Sequence, residues 1–333
     1  MKRWLLRILV FLLIVIFIVP LLIPLPPDGV AAETLADPDG RFIDVNGLQT
    51  YFIERGPSNG QPVLLLHGWG ASTFSWRDNI DALVEYGYRV IAFDRPPYGL
   101  SAKAGDNLPL TQSQQAVFTA AFMDALQLER AALIGHSMGA GTIGYFAAAF
   151  PERVDKLVFV GGAPRIGEAQ GGSSRLNDSL GVPTIVNSVL EFPSFNRWAR
   201  ILARAFVRPE TFTDLQRSAY YDPSIVTEEV AAGYQRQLQV VGWDEALIKI
   251  LSGRGFGDQP LTPEQIQAIE APALIVWGEN DTWVPLEAGE RLRELLPNVE
   301  WVVYPQVGHL PMEEVPARFN ADILSFLRGE ASE

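Results

Sequence analysis

The chain contains no cysteine. That excludes disulfides, a thiolate metal site and a cysteine nucleophile, and it is compatible with a reducing or an oxidising compartment. Histidine is nearly as scarce, so histidine-dependent chemistry must draw on His67, His136 or His309. Positive charge is also in deficit: 26 Lys and Arg against 39 Asp and Glu leave a formal net charge of -13. Beyond Arg7 no basic run appears, which excludes a nucleic-acid partner, because binding phosphates needs a local cationic surplus. Low-complexity tracts and repeats at periods of roughly 20 to 50 residues are missing too, so neither a disordered chain nor a solenoid is expected.

What is present is a 333-residue chain, 48% hydrophobic and 20% charged. Its first segment differs from the rest. Lys2, Arg3 and Arg7 precede an uncharged run from Ile8 to Leu25, interrupted only by Pro20 and Pro24. A run of about 18 apolar residues is close to the roughly 20 that a helix needs to cross a bilayer, so residues 1–32 are expected to be a transmembrane anchor and linker. A cleaved signal peptide, with Val30-Ala31-Ala32 as its small-residue site, is the alternative. Basic residues before the run, and Asp28, Glu33, Asp37 and Asp39 after it, place the following domain on the extracytoplasmic side.

From Arg41 onward, short β-rich runs alternate with helical patterns, the signature of a mainly parallel sheet covered by helices on both faces. Strands are expected at Val63–Leu66, Arg89–Phe93, Ala131–Ile134, Leu157–Val160, Ala273–Trp277 and Val299–Tyr304. Ahead of them, Phe42–Val45 and Leu48–Glu54 flank Asn46-Gly47, a dipeptide suited to a tight hairpin turn. Helical spacing marks Gln112–Leu126, Gly139–Phe150, Leu286–Leu295 and Pro316–Leu327. The interval from Pro164 to Ala271 is too long for a plain loop. Helical patterns at Ser194–Val207, Pro209–Tyr221 and Thr227–Val241 make it a cap, rich in aromatic residues that include Trp198, Tyr220, Tyr234 and Phe256. Residues 33–163 and 272–333 are then the two parts of one α/β core, and 164–271 is the helical lid.

Gly135-His136-Ser137-Met138-Gly139 has the pattern G-x-S-x-G between an apolar strand and a helix rich in small residues. There the serine sits on a strained turn, which small residues two before and two after allow to close. A serine hydroxyl needs a base, and the base needs an orienting carboxylate. His136 adjoins the nucleophile and His67 ends an earlier strand, so both read as structural. His309, on the loop after Val299–Tyr304, is the expected base. Asp281 follows Ala273–Trp277 and is the expected carboxylate, with Glu279 as its alternative. Acyl transfer also needs N–H donors for the developing oxyanion. The backbone N–H groups of Met138, opening the helix, and of Trp69, in His67-Gly68-Trp69-Gly70, are the candidates. No metal or organic cofactor is required.

Taken together, His67-Gly68-Trp69-Gly70, Phe93-Asp94-Arg95-Pro96-Pro97-Tyr98-Gly99-Leu100-Ser101, the Ser137 turn, Trp277-Gly278-Glu279-Asn280-Asp281 with Val284-Pro285, and Gly308-His309 resemble the α/β-hydrolase superfamily over nearly all of residues 41–328. The resemblance implies an eight-stranded, mostly parallel sheet, a Ser-Asp-His triad and cofactor-free hydrolysis. Pro97 departs from the glycine common at that turn. Capped relatives such as epoxide hydrolases and haloalkane dehalogenases use an aspartate nucleophile, and Ser137 argues against both. The expected substrate is a small molecule, a lipophilic carboxylic ester, as in the membrane-anchored monoacylglycerol lipases that this chain is similar to. A carbon–carbon bond hydrolase, a thioesterase, a perhydrolase or an acyltransferase would need the same triad, and a ligand-binding receptor on the same fold is a more distant alternative.

Overall fold

The computed structural model describes residues 2–25, 29–105, 107–167, 192–251 and 258–330. Asp28 and Phe256 lie outside them.

Eight strands form one sheet: β1 (Gly40–Val45), β2 (Leu48–Arg55), β3 (Pro62–Leu66), β4 (Arg89–Phe93), β5 (Ala131–His136), β6 (Val154–Val160), β7 (Ala273–Gly278) and β8 (Val299–Tyr304). Their order is β1-β2-β4-β3-β5-β6-β7-β8. The hairpin β1–β2 is antiparallel and occupies the edge, as the Asn46-Gly47 turn implies; both turn residues have positive φ, 54° and 82°. All pairings from β4 to β8 are parallel.

The central strands read as unbroken apolar runs because both of their faces are covered. Alternate residues enter two cores. Leu64, Leu66, Ile91 and Leu133 pack with Phe118 and Phe122 of the Gln112–Ala125 helix and Phe146 of the Met138–Ala149 helix. Val63, Leu65, Val90 and Ile134 pack on the other side with Trp76, Ile80, Phe319 and Ile323. Thr111 closes the start of the Gln112–Ala125 helix through a reciprocal capping box with Gln114. The expected α/β fold is therefore present, with a helical insertion between β6 and β7.

Among its described residues that insertion has helices at Pro193–Phe206, Pro209–Arg217, Glu228–Gln235, Trp243–Leu251 and Pro263–Gln267. The run expected as one helix from Thr227 to Val241 tightens into a 3-10 turn at Arg236–Gln239 and stops before Gly242, whose φ is 81°. The helix after Gly242 was not expected.

The transmembrane reading of the N-terminus is corrected here. The first helix spans Lys2–Phe17, 16 residues, and a separate single turn, Val19–Leu22, follows it with Pro20 in its first positions. Proline has no N–H to continue the helical ladder and its ring crowds the preceding turn. At about 1.5 Å per residue the first helix is roughly 24 Å long, short of a hydrocarbon core of about 30 Å. Among the described residues, no helix is long and apolar enough to cross a membrane. The membrane-anchored placement rested on that span and falls with it.

Candidate active site

The sheet's carboxyl edge gathers the expected residues, the usual place for a site in an open parallel sheet. Ser137 follows β5 directly and has φ 53° and ψ -117°, a left-handed backbone that a non-glycine residue rarely adopts. Its N–H donates to the Val160 carbonyl at 2.8 Å and its carbonyl accepts from the Gly141 N–H, so the turn is fastened to β6 and to its own helix. The two flanking glycines are required by space. A Cβ on Gly135 would lie 2.4 Å from the Gly139 carbonyl oxygen, and one on Gly139 would lie 2.2 Å from that of Leu66.

His309 and Asp281 meet as expected: His309 Nδ1 lies 2.7 Å from Asp281 Oδ2, with both side chains almost fully buried. The other carboxylate oxygen accepts the backbone N–H groups of Trp283 and Val284 at 2.8 and 2.9 Å. Those bonds leave Asp281 one direction in which to present an acceptor. Glu279, the alternative carboxylate, is exposed and does not join the pair. The Trp283 ring stacks against the imidazole of His309 at 5.5 Å.

Ser137 and His309 open on one cavity, together with Trp69 and His136. Gly68 lies so close to the nucleophile turn that an added Cβ would stand 3.0 Å from Ser137 Cβ. Trp69 is thereby brought beside the serine, and among the described residues its backbone N–H donates to no protein acceptor. Met138 is the first residue of its helix, where the N–H has no partner within the helix. The remaining lining comes from Gln216, Ala219, Tyr220 and Tyr234 of the insertion and from Ala71, Trp283 and Leu310, and it is mostly apolar.

Both remaining histidines are buried. His67 is fully buried, and burial first, then the neighbouring Arg95 charge, hold its pKa well below the usual imidazole value. His136 is held down by burial and next by His309. Its Nε2 lies 2.9 Å from the His309 carbonyl oxygen, so a residue expected only to fill the turn tethers the loop of the candidate base. Four contributors were not visible in the sequence. Glu314 accepts from the N–H groups of Gly308 and Leu310 on the His309 loop, and Ala219 accepts the His309 N–H at 2.7 Å. Trp283, between Asp281 and Val284, and Glu313 complete the surroundings.

A family model for the alpha/beta hydrolase fold matches residues 61–316. The chain belongs to the α/β-hydrolase family. The hydrolase is 32% identical over 297 residues to a 2-hydroxy-6-oxononadienedioate/2-hydroxy-6-oxononatrienedioate hydrolase of Burkholderia vietnamiensis, covering 86% of this chain and 93% of that one. Among solved structures it is similar to a meta-cleavage product hydrolase from Pseudomonas fluorescens IP01, with TM-score 0.68, 27% identity, and 87% of this chain and 98% of that one covered. It is also similar to a membrane phospholipase A described as a bacterial virulence factor, with TM-score 0.66, 26% identity and 99% of both chains covered. The likeness to monoacylglycerol lipases expected from the sequence has no counterpart in these three names.

Proposed function

We propose that the hydrolase cleaves an acyl compound through a covalent intermediate on Ser137, with His309 as general base and Asp281 as its orienting partner. His309 takes the serine proton as the hydroxyl attacks the carbonyl carbon. The N–H groups of Trp69 and Met138 receive the oxyanion. The leaving group departs with the proton that His309 returns, and a water molecule activated by the same imidazole frees the acid. The observation that carries this reading is the buried pairing of His309 with Asp281 at 2.7 Å beside a left-handed Ser137 on a shared cavity. We take residues 164–271 as the cap over that cavity.

For the bond cleaved, the relatives favour a carbon–carbon bond next to a carbonyl, since the Burkholderia protein and the Pseudomonas structure are both named for such substrates. Ester hydrolysis, the first expectation from the sequence, becomes the second reading. It draws on the apolar cavity, whose described lining includes no lysine or arginine to receive the carboxylates of a dienedioate, and on the similarity to a phospholipase A.

The deciding experiment compares turnover of a 2-hydroxy-6-oxo-dienoate, followed by loss of its chromophore, with turnover of p-nitrophenyl esters of increasing chain length. Preference for the dienoate supports carbon–carbon cleavage, and preference for long-chain esters supports the second reading. Ser137→Ala and His309→Ala should each lose about a thousandfold or more in kcat on whichever substrate is turned over. Retention of wild-type kcat in Ser137→Ala would remove the acyl-enzyme from the mechanism.

A further inference from the structure

Beneath the loop that carries Trp69 lies a guanidinium with no counter-ion. Arg95 is fully buried, and among the described residues it forms no ion pair. Asp94, its neighbour in sequence, is committed elsewhere: its two oxygens accept the Thr73 and Leu100 N–H groups, each at 2.6 Å. Burial lowers the Arg95 pKa to about 10, with nearby Tyr98 acting in the opposite direction, so the group stays charged at neutral pH. A buried cation without a counter-ion among the described residues carries a desolvation penalty, so what it touches calls for an explanation.

Its contacts reach the peptide that carries the Trp69 N–H and, through Thr142, the carbonyl of Met138. Nη2 donates to the His67 carbonyl and lies 3.5 Å from the Gly68 carbonyl oxygen. Nη1 donates at 3.1 Å to the Thr142 hydroxyl, which donates in turn at 2.9 Å to the Met138 carbonyl. The Arg95 backbone N–H donates to His67 Nε2 at 3.0 Å, which assigns the ring proton to Nδ1, 2.8 Å from the same Gly68 oxygen. The Gly68 carbonyl is thus gripped by an imidazole and a guanidinium. It belongs to the peptide whose nitrogen is that of Trp69. In a planar trans peptide the C=O and N–H point in opposite directions, so fixing the oxygen on the Arg95 side fixes the N–H on the other. Positive charge at the oxygen also draws electron density from the N–H and strengthens it as a donor.

We propose that Arg95 and His67 are positioning residues for the oxyanion hole, holding the Gly68–Trp69 peptide by its carbonyl so that the Trp69 N–H meets the developing negative oxygen. This rests on the reading of Trp69 as an oxyanion donor.

The test uses Arg95→Met and Arg95→Lys in the full chain. A p-nitrophenyl ester gives kcat and KM, and two competitive inhibitors separate the states: a trifluoromethyl ketone that forms a tetrahedral adduct on serine, and the unreactive alcohol of the same shape. Arg95→Met should lose about a hundredfold in kcat, near the lower bound for deleting an oxyanion donor outright, with KM within about threefold. The ketone should weaken in parallel and the alcohol should not, while thermal stability is unchanged or raised because an unpaired buried charge has gone. Arg95→Lys, which keeps the charge but cannot span both carbonyls, should lose about tenfold in kcat and in ketone binding. Unchanged kcat and ketone affinity in Arg95→Met, or an equal loss of ketone and alcohol binding, would overturn the proposal. Should Arg95→Met fail to fold, Arg95→Lys decides on the same two constants. Wild-type protein that turns over no ester and is not labelled at Ser137 by a fluorophosphonate would instead defeat the serine-hydrolase reading on which the proposal stands.

Discussion

Ser137 holds a backbone conformation that costs a non-glycine residue on the order of 1–3 kcal/mol, and its surroundings must enforce it. The enforcement comes from close backbone approach. Gly139 passes the Leu66 carbonyl with no room for a methyl group, and Gly162 does the same at the Ser137 carbonyl, where an added Cβ would stand 2.3 Å from the oxygen. Gly139→Ala should therefore push the helix off β3, lowering unfolding free energy by about 3 kcal/mol in urea titration and removing most of the activity. A loss under about 1 kcal/mol would mean that the turn relaxes freely. This much was legible, because G-x-S-x-G states the spatial requirement directly. The tether from His136 to the His309 carbonyl was not, since the partners are 173 residues apart and only the closed sheet brings them together. Lys103 is a similar case: a fully buried ammonium donating to the Pro97 and Gly99 carbonyls, its pKa lowered to about 7 by burial. Because the folded-state value is depressed below the unfolded one, the unfolded chain binds more protons between about pH 7 and 10, and stability gains with rising pH there. Urea titrations at pH 7 and pH 9.5 should show wild type gaining stability relative to Lys103→Met across that interval; parallel curves would mean that Lys103 does not titrate there.

The core meets the insertion at several places, among them Arg236 with Asp37 and Gln237 with the Gly70 carbonyl, and the contact nearest His309 is made by acids of the short helix Pro311–Glu314. Glu313 is fully buried; Tyr220 and Tyr234 of the insertion donate to it through their hydroxyls, and Arg77 of the core pairs with it at 2.7 Å. Glu314 accepts the Tyr221 N–H at 2.8 Å while also accepting from Gly308 and Leu310. The loop of the candidate base is thus fastened to the insertion by the same side chain that fastens it to its own helix. Glu314→Ala should free three backbone N–H groups at once, lowering stability by roughly 1–3 kcal/mol and kcat/KM by about tenfold. Loss of stability with kcat/KM intact would confine Glu314 to a structural role. From sequence, Glu313-Glu314 looks like an ordinary acidic first turn. The core strands were readable because each is a bounded apolar run. The insertion was read less well, because its helices are short and half-exposed and their boundaries follow local breaks such as Gly242.

At the scale of the whole molecule, the unusual surface is the N-terminal helix. Trp4, Leu6 and Phe11 are 60 to 66% exposed there, an apolar concentration that soluble surfaces rarely carry. The length of this run was plain in the sequence. Its division into a helix and a separate turn falls at Ile18, two residues ahead of Pro20, and a proline within a helical run is the signal that marks such a break. Among the described residues the segment rests on the insertion through Ser194 Oγ, which donates to the Phe17 carbonyl at 2.8 Å, Arg197, which donates to the Pro20 and Ile23 carbonyls at 3.3 and 2.8 Å, and the Phe17 and Phe195 rings, which meet edge to face. Further on, Val30 pairs with the chain at Gln239 and Val241. Both sheet cores lie elsewhere, so the segment and the sheet are separable in energy. A chain starting at Gly29 keeps the Val30 pairing and removes only the apolar helix and its turn. It should unfold within a few degrees of the full chain and keep its kcat, while sedimentation shows the full chain self-associating at concentrations where the shortened one is monomeric. A large fall in melting temperature would instead mean that contacts such as Arg197 to Ile23 stabilise the insertion, and through its seam at Glu313 and Glu314 the site below it.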